Sequence, residues 1–268
     1  MNKQVSKKHH FIPQFYIKGF SDDNSDVFIF DKEYNKIAKS PKKSAQIFYE
    51  EHLHTIKKFG QTSLIIEEAY GELEGILSKI VAQLKECSSE MLPELVEIPE
   101  FAKFMVLMMS VQYWRNPKNT CTANKLASDL LTLYDQAIAT NAEVMPFSRK
   151  DLKFFQKKSK DETVLKFIQF LLLPLITFKF NSEQLKGLKI IRLEGENEFL
   201  CSDNPVVIET IDSEFNFSGQ VFYPITKKFA ISNIDSQEMS VFDETVLIHA
   251  RKKVIASSRE RLQLLPQA

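Results

Sequence analysis

Pro99-Glu100-Phe101-Ala102-Lys103-Phe104-Met105-Val106-Leu107-Met108-Met109-Ser110-Val111-Gln112-Tyr113-Trp114-Arg115-Asn116-Pro117 is the stretch on which the fold turns. Proline at a first helical position gives up only an amide that has no partner there, so Pro99 opens a helix over 100–115. The run Phe104 to Met109 is apolar on every side, which places this helix inside the core rather than on its surface. Asn116-Pro117 closes it, because the residue before proline resists the α region. Gln112 and Arg115 lie three apart and project from one face at its end. The macrodipole accounts for an arginine there. It does not account for an amide following an apolar run, which needs a partner if buried.

Working outward, Leu64, Ala69, Leu73, Ile76, Leu77, Ile80 and Leu84 recur at three- and four-residue steps and predict an amphipathic helix over 63–85 with an acidic outer face. Further helices fit 122–139, 151–158 (with Ser148 and Asp151 at capping-box spacing) and 164–180, the last kinked near Pro174. Near the start, Pro13 and Gly19 bracket a helical turn or two, and 27–30 is a strand feeding a hairpin turn at 31–35. After Asn181 the pattern changes to short strands at 188–193, 198–201, 206–208, 215–217, 221–223 and 229–231, followed by an amphipathic helix over 238–256. The expected class is α+β: a central helical bundle flanked by N-terminal and C-terminal β elements that form one antiparallel sheet. No Pro/Gly/Ser linker interrupts it, so 1–268 is expected as a single domain, with a signature and hairpin region 7–40, a helical region 61–180, a β-rich region 188–232 and a C-terminal helix 238–256.

Composition removes several function classes. The 268 residues carry 35 Lys+Arg and 35 Asp+Glu, so overall charge argues for neither nucleic acid nor membrane. The balance is uneven: residues 1–60 hold eleven Lys against seven Asp+Glu, whereas residues 61–100 hold two Lys against nine Glu. Cys87, Cys121 and Cys201 are odd in number and far apart, which disfavours a disulfide framework or a cysteine–zinc site. The longest apolar run, 167–178, contains Gln169 and Pro174 and falls short of the roughly 20 residues a bilayer demands. With no apolar leader at the N-terminus, a soluble cytoplasmic protein without a membrane partner is expected.

Three stretches could carry chemistry. In Lys7-Lys8-His9-His10-Phe11-Ile12-Pro13, adjacent histidines on an extended segment face opposite sides, so one of them enters a given pocket. His10 is the candidate general base or metal ligand and His9 the bystander; a structural histidine at a helix entry is the competing account. Gln112 with Arg115 forms the second stretch. The third is Cys201-Ser202-Asp203-Asn204-Pro205, where Asp203 either caps backbone amides in an Asx-type turn or serves a site. His52 and His54 alternate along a short segment and read as surface residues. No P-loop, GxGxxG, HExxH, EF-hand or nucleophile-elbow signature is present.

Together these stretches resemble the mainly bacterial family catalogued as domain of unknown function 4238. Its His-His-x-x-Pro-x-x-Tyr-Leu-x-x-Phe signature is matched by His9, His10, Pro13, Tyr16 and Phe20, with Ile17 replacing leucine. Its Gln-x-x-Arg-x-Pro helix end is matched by Gln112, Arg115 and Pro117, and its Thr-Ser-Asp-Asn-Pro motif by Ser202 to Pro205, with Cys201 replacing threonine. A following Pro-Leu-Ser-Pro element is similar to Pro224-Ile225-Thr226-Lys227. The resemblance covers about residues 7–260 and implies a constellation of residues rather than a reaction. The opening is also similar to that of HNH-type nucleases, although no Asn and His follow at that motif's spacing.

The expectation drawn from these residues is that His10, Gln112, Arg115 and Asp203 share a polar pocket and act on a phosphodiester, as in a metal-assisted nuclease. His10 and Asp203 would hold a divalent ion (Mg²⁺ or Mn²⁺), Arg115 would stabilise phosphate charge, and nucleic acid would be the partner. The alternative is a non-catalytic interaction or regulatory protein in which the same residues form a structural network.

Overall fold

The computed structural model describes residues 7–58, 61–140, 147–177, 185, 187–209, 217, 219–236 and 238–265. The chain opens with β1 (Lys8–His10), α1 (Gln14–Lys18), β2 (Asp26–Asp31), β3 (Lys36–Ile37), β4 (Lys42–Lys43), β5 (Tyr49–Glu51), β6 (Ile56–Lys58) and β7 (Gln61–Ser63). The helical region is α2 (Ile65–Glu86), α3 (Leu92–Glu97), α4 (Pro99–Arg115), α5 (Thr120–Leu126), α6 (Leu130–Thr140), α7 (Arg149–Lys157) and α8 (Glu162–Thr177). Then come β8 (Lys189–Arg192), β9 (Cys201–Ser202), β10 (Val207–Ile208), β11 (Val221–Pro224), β12 (Phe229–Ser232), α9 (Met239–His249), β13 (Lys253–Ala256) and α10 (Arg259–Gln263).

The fold is α+β, with α4 at its centre. Met105, Val106, Met108, Met109, Val111 and Trp114 of α4 are all buried, as an all-round apolar helix requires. It packs along α8, and the Gln169 amide of α8 donates to the carbonyls of Trp114 (2.7 Å) and Asn116 (3.1 Å), satisfying groups that the end of α4 leaves open. The hairpin of β2 and β3 and the Ser148–Asp151 capping box form as the sequence predicts.

Four differences from the sequence expectation have physical reasons. Among the described residues the β elements do not make one sheet. An antiparallel sheet ordered β3-β2-β13-β9, with β4 also on β2, joins the two ends of the chain, while β10-β11-β12-β8 forms a separate sheet. The predicted helix over 238–256 stops at His249, and Lys253–Ala256 is a strand between β2 and β9. There Lys32 Nζ donates to the carbonyls of Leu247 (2.8 Å) and Ala250 (3.0 Å), capping the helix end from across the molecule. The helix predicted over 122–139 is broken by a 3-10 turn at Ala127–Asp129, where Ser128 Oγ donates to the Lys125 carbonyl. Strand 198–201 shrinks to Cys201–Ser202. Within the predicted strand 215–217 only Phe217 is described, and 178–180 of the predicted helix 164–180 lie outside the described residues.

Gly19 closes α1 with an ordinary φ of −64°. Glycine is required there by space: a Cβ would lie 3.0 Å from the Tyr16 carbonyl oxygen and 3.2 Å from Thr226 Cγ2. The Lys227 amide donates to the Gly19 carbonyl at this approach (2.9 Å), and the Tyr16 hydroxyl donates to the Pro224 carbonyl.

Candidate functional site

The histidine pair is held by the β1–β5 ribbon, in which His9 stands opposite Glu50 and His10 opposite Tyr49. The alternation of strand side chains sends the two rings to different neighbours. His10 packs its ring against Tyr49 (centroids 5.6 Å), near the backbone of Ser44 and Ala45. Burial, and then the nearby Arg115 charge, hold its imidazole below the ordinary value.

His9 is fully buried and faces the ring of His54 (centroids 5.7 Å). The chain leaves β5, and His52 adopts a left-handed φ of 58°, which is uncommon for a residue other than glycine. That turn brings His54 back beneath β1, where its backbone N–H donates to His9 Nδ1 (3.0 Å). His54, read from the sequence as a surface residue, is therefore buried. Its Nδ1 lies 2.7 Å from Glu67 Oε2, in the first turn of α2. Burial lowers the His54 pKa to about 4, so at neutral pH the ring is uncharged and donates its Nδ1 hydrogen to the carboxylate. Burial pushes Glu67 up, but the His54 hydrogen bond and the Arg115 charge outweigh it, and its pKa is lowered. His9 Nδ1 stands 3.7 Å from the same Oε2. His9, His54 and Glu67 thus offer three potential ligand atoms, all within 4.8 Å of one another.

Arg115 completes this floor. It is 3% exposed, hydrogen-bonds Glu74 through Nη1, and brings Nη2 within 3.9 Å of Glu67 Oε2. Its guanidinium lies over the Tyr70 ring, with Cζ 4.9 Å from the centroid. His54, Tyr70 and Arg115 line a cleft of about 380 Å³ whose other walls come from Trp114, Leu165 and Phe170. Glu50, Glu51 and Glu162 also line it, against Lys166 as the further cation.

The structure divides the four residues expected to share a pocket. The Arg115 charge is close enough to His10 to help lower its pKa. Gln112 instead sits in the core against the Tyr223 hydroxyl, beside the stacked Tyr16–Tyr223 pair. The Asp203 carboxylate accepts from the backbone amides of Arg251 (2.8 Å), Lys252 (2.9 Å) and Lys253 (3.3 Å), fixing the entry to β13. Burial raises its pKa in spite of those hydrogen bonds. The Asn116 side-chain amide donates to the Asp203 carbonyl (2.9 Å), tying the end of α4 to this turn. Glu67 and His54 went unrecognised because nothing in an acidic helix face or a four-residue turn signals which position faces inward. A Glu one turn into α2 and a His pair 13 residues earlier were the available clues.

Among the described residues no helix is long and apolar enough to cross a membrane. No curated protein and no solved structure matches the chain. One family profile spans nearly all of it, residues 8–254, and includes the His9–His10, Gln112–Arg115 and Ser202–Pro205 stretches. The chain belongs to the family described as Protein of unknown function (DUF4238).

Proposed function

We propose that the cleft is the active site of a metal-assisted hydrolase acting on phosphoesters. The observation that carries this is the His9–His54–Glu67 cluster beside Arg115, of which His54 and Arg115 line a cleft large enough for a small substrate. His9, His54 and Glu67 would hold a divalent ion there, and such an ion would supply a bound water of lowered pKa as the nucleophile for phosphoester hydrolysis. Arg115 stands where a guanidinium can offset charge growing on the phosphoryl oxygens. The metal-binding and base roles expected of His10 and Asp203 pass to His9, His54 and Glu67.

The substrate class follows from the lining. Glu50, Glu51 and Glu162 oppose Lys166, so the cleft repels a long polyanion and suits a compact phosphodiester or a single nucleotide end better than duplex nucleic acid. The test is turnover of bis(p-nitrophenyl) phosphate and of short oligonucleotides with Mg²⁺, Mn²⁺ or Zn²⁺, wild type against Glu67→Gln. Turnover should be at least about a hundredfold lower in the variant, with the small diester preferred. No turnover above the metal blank, or equal turnover by both proteins, overturns the proposal.

The non-catalytic alternative draws support from Gln112 and Asp203, which serve the core and a backbone turn. It predicts that Glu67→Gln lowers stability without a change in any turnover. The hydrolase reading instead predicts a loss of turnover in Glu67→Gln far larger than any loss of stability accounts for.

A further inference from the structure

We propose that the His9–His54–Glu67 cluster takes up a first-row transition ion of the cobalt-to-zinc kind and discriminates against Mg²⁺. This rests on the same site as the hydrolase reading and specifies its ion. The donor set is the first reason. Imidazole nitrogen suits Zn²⁺, Co²⁺ and Ni²⁺, whereas Mg²⁺ demands oxygen ligands in near-ideal octahedral geometry and keeps its waters. Two of the three donors here are imidazoles, and only one carboxylate joins them.

Spacing is the second reason. Metal–nitrogen and metal–oxygen bonds of about 2.1 Å allow donors on one ion to stand up to about 4 Å apart. Glu67 Oε2 lies 2.7 Å from His54 Nδ1 and 3.7 Å from His9 Nδ1, and the three donor atoms all lie within 4.8 Å of one another, close to the spread that one ion spans. The three donors come from β1, from the turn after β5 and from the start of α2, elements already locked together by the strand ladder and by the His54 N–H to His9 Nδ1 hydrogen bond. Ion uptake through His9 Nδ1 exchanges that one hydrogen bond for a metal–nitrogen bond, and moves the His54 ring hydrogen from Nδ1 to Nε2.

Charge is the third. Glu67 and Glu74 both face Arg115, whose Nη2 stays at 3.9 Å from Glu67 while Nη1 hydrogen-bonds Glu74. A divalent ion taken up by Glu67 leaves Arg115 its closer partner, so the surplus carboxylate at this floor gains a counter-charge without displacing the arginine. Because His54 also lines the cleft, an ion held here is reached from it.

The test uses the full chain stripped with EDTA and titrated with Co²⁺. Visible d–d bands of low-coordinate cobalt should grow to one equivalent, collapse on adding one equivalent of Zn²⁺, and persist in a large excess of Mg²⁺. Glu67→Gln and His54→Ala should weaken uptake by at least about tenfold, while His249→Ala, which removes a half-buried histidine paired with Glu209, should leave it unchanged. X-ray absorption at the zinc edge of the wild-type protein gives a readout independent of variant folding, and should show outer-shell scattering from two imidazoles. Absent cobalt bands, displacement by Mg²⁺, uptake equal in all variants, or an imidazole-free zinc shell each overturn the proposal. A chain that binds cobalt yet hydrolyses no phosphoester keeps this site and loses the proposed activity. One that hydrolyses with Mg²⁺ and takes up no cobalt does the reverse.

Discussion

Single residues decide the site, and the His54 ring is the most consequential. Its pKa near 4 lies well below the 6.5 of a free imidazole, so the unfolded chain binds the extra proton that the folded one refuses. The associated stability is complete above about pH 6.5 and is lost as pH falls toward 4, amounting to something on the order of 3 kcal/mol. His10 and Glu67, both also lowered, act in the same direction. Urea denaturation in EDTA at pH 7.5 and pH 4.5 should show this loss, and His54→Gln should remove much of it; an unchanged slope would mean that the ring is solvated. At this scale the sequence was only partly readable. Strand alternation correctly separates His9 from His10, but which ring meets other polar groups depends on β5 and on the left-handed turn at His52. Neither the strand partner nor a positive φ at a histidine can be read from the letters.

At the level of elements, α4 was the most legible because its signals agree: proline at both boundaries and an apolar run between them. The segment after Glu238 was not, since its apolar spacing fits a helix throughout and the break comes from distant residues, Lys32 on the carbonyls and Asp203 on the amides. Asp203→Asn keeps the shape but replaces a charged acceptor facing three amides, and should destabilise the chain by about 1–3 kcal/mol in urea. An effect on turnover with unchanged stability would contradict the backbone-capping role. Gly19→Ala places a methyl against the Tyr16 carbonyl and Thr226, and should cost about 1–3 kcal/mol. The same experiment with Lys18→Ala, an exposed neighbour, should show little.

Across the whole molecule, the stretches singled out in the sequence act mainly as joints. Tyr16 meets Pro224, Gly19 meets Thr226 and Lys227, Gln112 meets Tyr223, and Asn116 meets Asp203. Their separation in sequence gave no hint of these pairings, which explains why the class was legible and the sheet arrangement was not. Removing residues 1–20 takes away β1, α1 and the Tyr16 and His9 contacts together. Such a chain should lose its near-ultraviolet dichroism and bind a hydrophobic dye, and a sharply melting truncated protein would refute the joint. The position of β13 adds a consequence for biosynthesis. It lies between β2 and β9, strands made some 225 and 50 residues earlier, so its slot stays open until translation reaches residue 256. The nascent chain therefore carries an unpaired β2 edge for most of its synthesis, and a chaperone that shields strand edges would raise its yield more than one that speeds local helix formation.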